Sequence, residues 1–319
     1  MPQLGSLTVS AQGFGAMGLS NVYGQAIDAE SIRTVRRAIE LGVTFFDTAT
    51  GYGAGHNEAL LGEAIAGRRD GLVIASKFVH HPGGHGPDAR PVGAREAVEA
   101  SLQRLRLDHI DLYYLHRVDP GIPVEDSVGE LGRLKDEGKI GGVGVSEVGA
   151  EGLRRAHAAY PLTALQTEYS LWTRDVEVEI LPTTRELGIG FVAYSPLGRG
   201  FLAGAEVTDP NDRRHQHPRF QPEAVAENSP RREAIERVAA RLGASIAQVS
   251  LAWVLSKGVV PIPGTRHIDH LEANWAAGAL ALDAASIGEL ESAFVRGSTV
   301  GARYPADGLR LIPPSPVAA

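Results

Sequence analysis

The feature that most constrains this chain is a slow alternation of short, β-branched apolar runs with longer amphipathic stretches, sustained along most of its length. Strand-like runs lie at 43–47 (VTFFD), 72–76 (LVIAS), 110–115 (IDLYYL), 140–145 (IGGVGV), 162–167, 189–194 (IGFVAY) and 259–262 (VVPI), with an eighth around 14–19. Each is bounded by Gly or polar residues, as buried parallel strands are. Between them, 28–41 places Ile32, Val35 and Ile39 on one face and ends at Gly42, a helix with a glycine C-cap. Segment 93–105 turns Ala97, Leu102 and Leu105 inward, and 126–137 ends at Gly138. Similar helical patterns occupy 149–159, 174–187, 230–242, 245–256 and 283–295; Pro182 predicts a kink or a later start in the second of these. Strands alternating with helices mean βαβ units and a parallel sheet. Eight strands can close into a barrel or lie open as a doubly wound sheet.

The stretch 202–228 is polar, rich in Pro, Arg and His, and without periodicity, which predicts a lid or binding loop. No linker divides the 319 residues, so the expectation is one domain over 1–319, a length that α/β barrels reach.

Composition removes several classes of function. The chain has no cysteine, which excludes disulfides, thiolate zinc, iron–sulfur clusters and cysteine nucleophiles. Its 31 basic against 38 acidic residues leave −7 with no basic block, so neither nucleic acid nor an anionic membrane is an expected partner. The opening MPQLGSLTVSAQ lacks the charged and apolar regions of a signal peptide, and no apolar run approaches the ~20 residues of a membrane span. A cytoplasmic location is expected.

Two motifs mislead. Gly13–Phe14–Gly15–Ala16–Met17–Gly18 spells G-x-G-x-x-G, but that fingerprint must open directly into a helix. Here LSNVYGQ follows, and the first helical pattern begins only near Asp28. His80, His81 and His85 cluster without carboxylates or helical spacing, so they read as a solvated loop and no metal is expected.

The unusual residues fall instead at strand ends. Asp47 closes VTFFD, Tyr52 follows in TATGYG, Lys77 follows LVIAS and His116 follows DLYYL. Any one of them has a bland reading as a solvated or structural group. A closed parallel barrel, however, brings every C-terminal strand end to one face. There an ammonium beside a phenol, whose pKa in water is ~10, favours the phenolate and lowers that pKa toward the working range. Asp47 would keep Lys77 charged and oriented, and His116 could direct a substrate carbonyl. That is a proton donor beside a polarised carbonyl, which lacks only a hydride from a cofactor.

In order along the chain, FDTATGYG (46–53), SK (76–77), LH (115–116), GVS (144–146), AYSPLGRGFL (193–202) and PIPGTR (261–266) resemble the motifs of the aldo-keto reductase superfamily. EYSLWTRDVE and AYSPLGRGFL look like the branch of bacterial aldehyde and pyridoxal reductases. The resemblance spans 14–274. It implies a closed (β/α)8 TIM barrel that reduces aldehydes or ketones with NADPH, Tyr52 being the general acid and Lys77, Asp47 and His116 its partners. By the same resemblance Ser146 and Gln166 would hold the nicotinamide carboxamide and Tyr194 would stack on its ring. Ser195, Leu197, Arg199 and Gly200 would line the pyrophosphate, Gly264, Thr265 and Arg266 the 2′-phosphate, and Asn274 the adenine. A substrate pocket of Met17, Tyr23, Tyr52, Phe78 and Trp172 would suit aryl or medium-sized carbonyl compounds. The chain departs from the family at Glu147, where Asn is usual and an amide contact is lost. It departs again at His270 and Ala273, where basic and acidic residues often meet the adenosine end. The alternative is an NADPH-binding regulatory protein on the same barrel with little turnover.

Overall fold

The computed structural model describes residues 1–78 and 90–313; His80, His81 and His85 lie outside them. Eight parallel strands form one curled sheet in chain order: β1 (Phe14–Gly15), β2 (Phe45–Asp47), β3 (Val73–Phe78), β4 (Leu112–Leu115), β5 (Val143–Ser146), β6 (Ala164–Glu168), β7 (Gly190–Tyr194) and β8 (Val260–Pro261). Across the two ends of the sheet, Gly13 N–H donates to the Pro261 carbonyl at 2.9 Å and Gly15 N–H to that of Pro263 at 3.3 Å.

Outside the sheet pack α1 (Asp28–Leu41), α2 (His56–Ile65), α3 (Pro91–Leu105), α4 (Val124–Asp136), α5 (Ala150–Ala159) and α6 (Ile180–Glu186). Further on come α7 (Pro222–Asn228), α8 (Arg232–Leu242), α9 (Ile246–Ser256), α10 (Ile268–Ala276), α11 (Ala284–Ala293) and α12 (Ala306–Leu309). Their ends follow local chemistry. Gly42 terminates α1 in the left-handed region (φ 96°), its N–H reaching the carbonyls of Ala38 and Ile39. Ser245 and Gln248 cap α9 reciprocally.

Several expectations are corrected. The run at 14–19 is a strand only over Phe14–Gly15 and then tightens into a 3-10 turn, Ala16–Leu19. Of the two outcomes Pro182 allowed for the helix from 174, the structure has the later start: the helix begins at Ile180, which puts Pro182 in the first turn, where an N–H has no intrahelical acceptor to lose. The stretch 202–228 is not irregular throughout: it holds 3-10 turns at Arg213–Gln216 and Pro218–Phe220 and then α7. Unforeseen elements include α2, α12 and an antiparallel pair, Gln3–Leu4 with Leu7–Thr8. The pair carries Leu4 and Val9 into the apolar cluster inside the sheet.

The glycines of Gly13–Gly18 serve packing rather than a dinucleotide turn. A Cβ on Gly13 would stand 2.5 Å from the Phe45 ring, and one on Gly15 would stand 2.7 Å from the Ile262 carbonyl oxygen. Gly264 is tighter still, 2.3 Å from the Gly15 carbonyl oxygen, a backbone atom that cannot swing aside. Gly264→Ala is therefore expected to cost about 1–3 kcal/mol through overpacking of this seam. Gly129→Ala in α4, where a Cβ meets nothing within 4 Å, is expected to gain about 0.5–1 kcal/mol. Urea unfolding of both variants checks the contrast; equal stabilities would contradict it.

Candidate active site

The period-2 alternation of strand side chains decides which residues reach the interior. Phe45, Val73, Ala75, Leu112, Tyr114, Ala164, Val192, Val260 and Ile262 form the inner cluster. Their neighbours Phe46, Ile74, Phe78, Tyr113, Leu115, Val143, Val145, Leu165, Phe191 and Ala193 face the helices. Carrying the inner phase two residues toward each C-terminal end selects Asp47, Lys77, His116, Ser146, Gln166 and Tyr194. Polar side chains sit there because the next inward position lies beyond the apolar plug.

Asp47, Lys77 and Gln166 are buried. The Lys77 ammonium donates to the Asp47 carboxylate, to the Thr48 carbonyl at 2.8 Å and to the Tyr52 hydroxyl at 3.3 Å. Asp47 Oδ2 also accepts from Gln166 Nε2 at 2.7 Å. Tyr52 starts a turn in which Gly53, Ala54 and Gly55 all have positive φ (61°, 52° and 91°), and this tight reversal holds the phenol over the strand ends. The His116 ring meets Tyr52 edge-on, with centroids 5.9 Å apart and planes at 87°.

The electrostatics correct one expectation. Burial pushes the Tyr52 phenol above its ordinary pKa; Lys77 pulls it down, but not enough to reverse the sign. The phenol therefore stays protonated at neutral pH. Burial also works against the Lys77 ammonium, yet Asp47 and Tyr52 carry it above its usual value. Asp47 is raised by burial, opposed by the Lys77 and Gln166 donors. Chemically, the arrangement offers a protonated hydroxyl beside a sealed ion pair.

Residues suited to an anionic dinucleotide lie mainly at the ends of β7 and β8. Ser195, Arg199 and Gly200 take positive φ (48°, 56° and 97°), and Leu197 caps the 3-10 turn Gly198–Ala203. Backbone N–H groups in such a turn make a concavity for phosphate. Arg199 lies inward, donating to the hydroxyls of Tyr23 (3.3 Å) and Tyr304 (3.0 Å). Gly264, Thr265 and Arg266 lead into α10, and Arg266 Nη1 donates to the carbonyls of Tyr23 and Gly24 at 3.0 and 3.2 Å. Asn274, on α10, is buried. This donor set fits a phosphorylated nucleotide: guanidiniums, a tight turn of positive-φ residues and a helix start.

Not every expected pocket residue reaches the opening. Met17 and Tyr23 are half-buried past the end of β1. Phe78, one residue out of phase with Lys77, faces the helices and stacks on Tyr113 at 6.0 Å. Trp172 is 2% exposed, lies against Phe201 at 4.0 Å between centroids and meets Phe220 edge-on. Neither ring lines the mouth.

The C-terminal segment contributes contacts that no sequence motif marks. Arg303 forms a two-pronged ion pair with Glu147, at 3.1 and 2.9 Å. Burial alone would raise the Glu147 carboxyl, but Arg303 and Arg117 hold it below its usual range. Glu147 also accepts from the Tyr194 hydroxyl at 2.8 Å. Beside this anchor the Tyr304 hydroxyl meets that of Tyr194 at 2.8 Å. The departure at Glu147 is thus a buried tie for the tail and not simply a lost amide.

The family model described as "Aldo/keto reductase family" matches residues 12–294. A "Probable aldo-keto reductase 1" from Glycine max is 46% identical over 307 residues, covering 93% of this chain and 88% of its own. Among solved structures, the glycerol dehydrogenase of Gluconobacter oxydans superposes with a TM-score of 0.81 at 26% identity, covering 93% of this chain and 95% of that one. An aldo-keto reductase of Klebsiella pneumoniae, solved in complex with NADPH, gives 0.73 at 28% identity, covering 93% and 95%. The ordered motifs, the parallel strands with polar residues gathered at their C-terminal ends, and these similarities agree: the chain belongs to the aldo/keto reductase family of oxidoreductases.

Proposed function

We propose that this chain reduces aldehydes or ketones to alcohols with NADPH, on a closed (β/α)8 barrel. The edge-to-edge bonds from Gly13 and Gly15 support closure. The observation that carries the reaction is the Tyr52 hydroxyl, 3.3 Å from a Lys77 ammonium that Asp47 keeps charged. A carbonyl oxygen resting between Tyr52 and His116 accepts the phenol proton as negative charge develops on it, and the ammonium stabilises the phenolate left behind. The bound nicotinamide supplies the hydride. Asp47 and Gln166 fix the ammonium, so little reorganisation accompanies the transfer. Tyr194 and Ser146 would hold the nicotinamide, and the turn from Ser195 to Gly200 would hold the pyrophosphate. With Phe78 and Trp172 turned away, Met17, Tyr23 and Tyr52 remain as the wall.

The relative solved with NADPH supports the choice of cofactor, and Arg266, in the turn before α10, is the residue we assign to its 2′-phosphate. Arg266→Leu is expected to raise the Kd for NADPH about 10- to 100-fold, the loss of charge-assisted hydrogen bonds, and to change that for NADH little. Titration by tryptophan quenching measures both. Equal losses for the two cofactors would mean that Arg266 acts through its bonds to Tyr23 and Gly24 instead. Turnover of para-nitrobenzaldehyde with each cofactor tests the reaction itself.

A further inference from the structure

Four of the arginines around the strand ends have unequal partners. Arg199 and Arg219 approach Glu168 at 3.6 and 3.5 Å, and Arg303 pairs with Glu147 at 2.9 Å. Arg117, immediately after His116, has no carboxylate within ion-pair distance among the described residues. Its Nη1 donates to the His116 carbonyl at 2.7 Å and to Ser146 Oγ at 3.1 Å, and its Nη2 to the Tyr304 hydroxyl at 3.4 Å. A guanidinium has five N–H donors, so Nε–H and one Nη2–H lack partners among the described residues. Four guanidiniums thus share two carboxylates, and the unmatched cation stands beside the proposed reacting group. The cation also bears on the Tyr52 phenol, whose pKa it lowers.

We infer that the remaining donors of Arg117 bind a carboxylate on the substrate, so the preferred carbonyl compounds are acids bearing an aldehyde or ketone. This rests on the reductase reading. Arg117 springs from a different strand than the proposed phosphate sites, β4 lying three strands from β7 and four from β8 in the sheet order, and it meets Arg199 only through the shared Tyr304 hydroxyl. The bonds to His116 and Ser146 fix one edge of the guanidinium and leave its remaining donors for a planar anion. Arg303 and Glu147 hold Tyr304 in place. Arg303 and Tyr304 both lie beyond the residues the family model matches.

The test compares para-carboxybenzaldehyde with its methyl ester, alike in ring and carbonyl and different in charge. Wild type is expected to favour the acid in kcat/KM by about 10- to 100-fold, the worth of hydrogen bonds to a charged group. Arg117→Met should bring that ratio near one, and Arg117→Lys should keep part of it; NADPH quenching verifies that both variants fold. A wild type that shows no preference would overturn the inference and leave the reductase reading standing. A parallel loss for both substrates in Arg117→Met, the ratio unchanged, would overturn it too, because that is the mark of a residue that only orients Ser146. A wild type that binds NADPH and reduces neither compound removes both readings.

Discussion

Tyr52→Phe is expected to lower kcat for aldehyde reduction by about 10²- to 10⁴-fold, the usual contribution of a positioned proton donor, while the Kd for NADPH stays near wild type. Phenylalanine keeps the ring against His116 and removes only the hydroxyl that meets Lys77. A fall in KM alone, or a variant with most of its turnover, would remove Tyr52 from the chemistry.

Lys77→Met should act on both activity and stability. Reduction requires the protonated phenol, so kcat/KM falls as pH rises through the pKa of Tyr52. The ammonium lowers that pKa against burial. Without it the pKa rises, the fall moves to higher pH, and the plateau drops because a weaker acid donates less readily. The same substitution strands the buried Asp47 carboxylate with Gln166 as its remaining side-chain donor. Removing one partner of a buried pair costs about 3–5 kcal/mol. Lys77→Met with Asp47→Asn should recover most of that stability and none of the activity, because the neutral amide needs no counter-charge. A pH–rate profile and a thermal melt of the single and double variants measure the two effects; an unchanged profile in the single variant would break the Tyr52–Lys77 link.

Much of this was legible in the sequence for one physical reason. Strand alternation is a local property, and Asp47, Lys77 and His116 follow apolar runs whose phase can be counted. The same rule, applied strictly, would have excluded Phe78, which lies one residue past Lys77 and must point the other way. Helix α2 escaped because it is buried nearly all round, Glu58 included. The Glu58 carboxylate accepts from Ser76 at 2.5 Å and Arg104 at 2.7 Å, so no polar face breaks the pattern. The direction of the Tyr52 shift also escaped. Neighbouring charge can be read from a sequence, whereas the desolvation that outweighs it depends on the packed chain. Arg303 meets Glu147 from 156 residues away in a tail without periodicity, and no local signal marks such a contact. Arg117 carried a signal that went unused: it adjoins His116, and a charged residue just past a barrel strand is placed for the mouth.

The central claim is that a hydride passes to a carbonyl at this site with Tyr52 giving the proton. The most direct measurement is the loss of NADPH absorbance with para-nitrobenzaldehyde, wild type beside Tyr52→Phe, with NADPH binding followed by tryptophan quenching in both. The account predicts steady turnover to the alcohol in wild type, its near-complete loss in the variant, and equal quenching. A wild type that binds NADPH yet turns over no aldehyde, or a variant that matches it, would contradict the account.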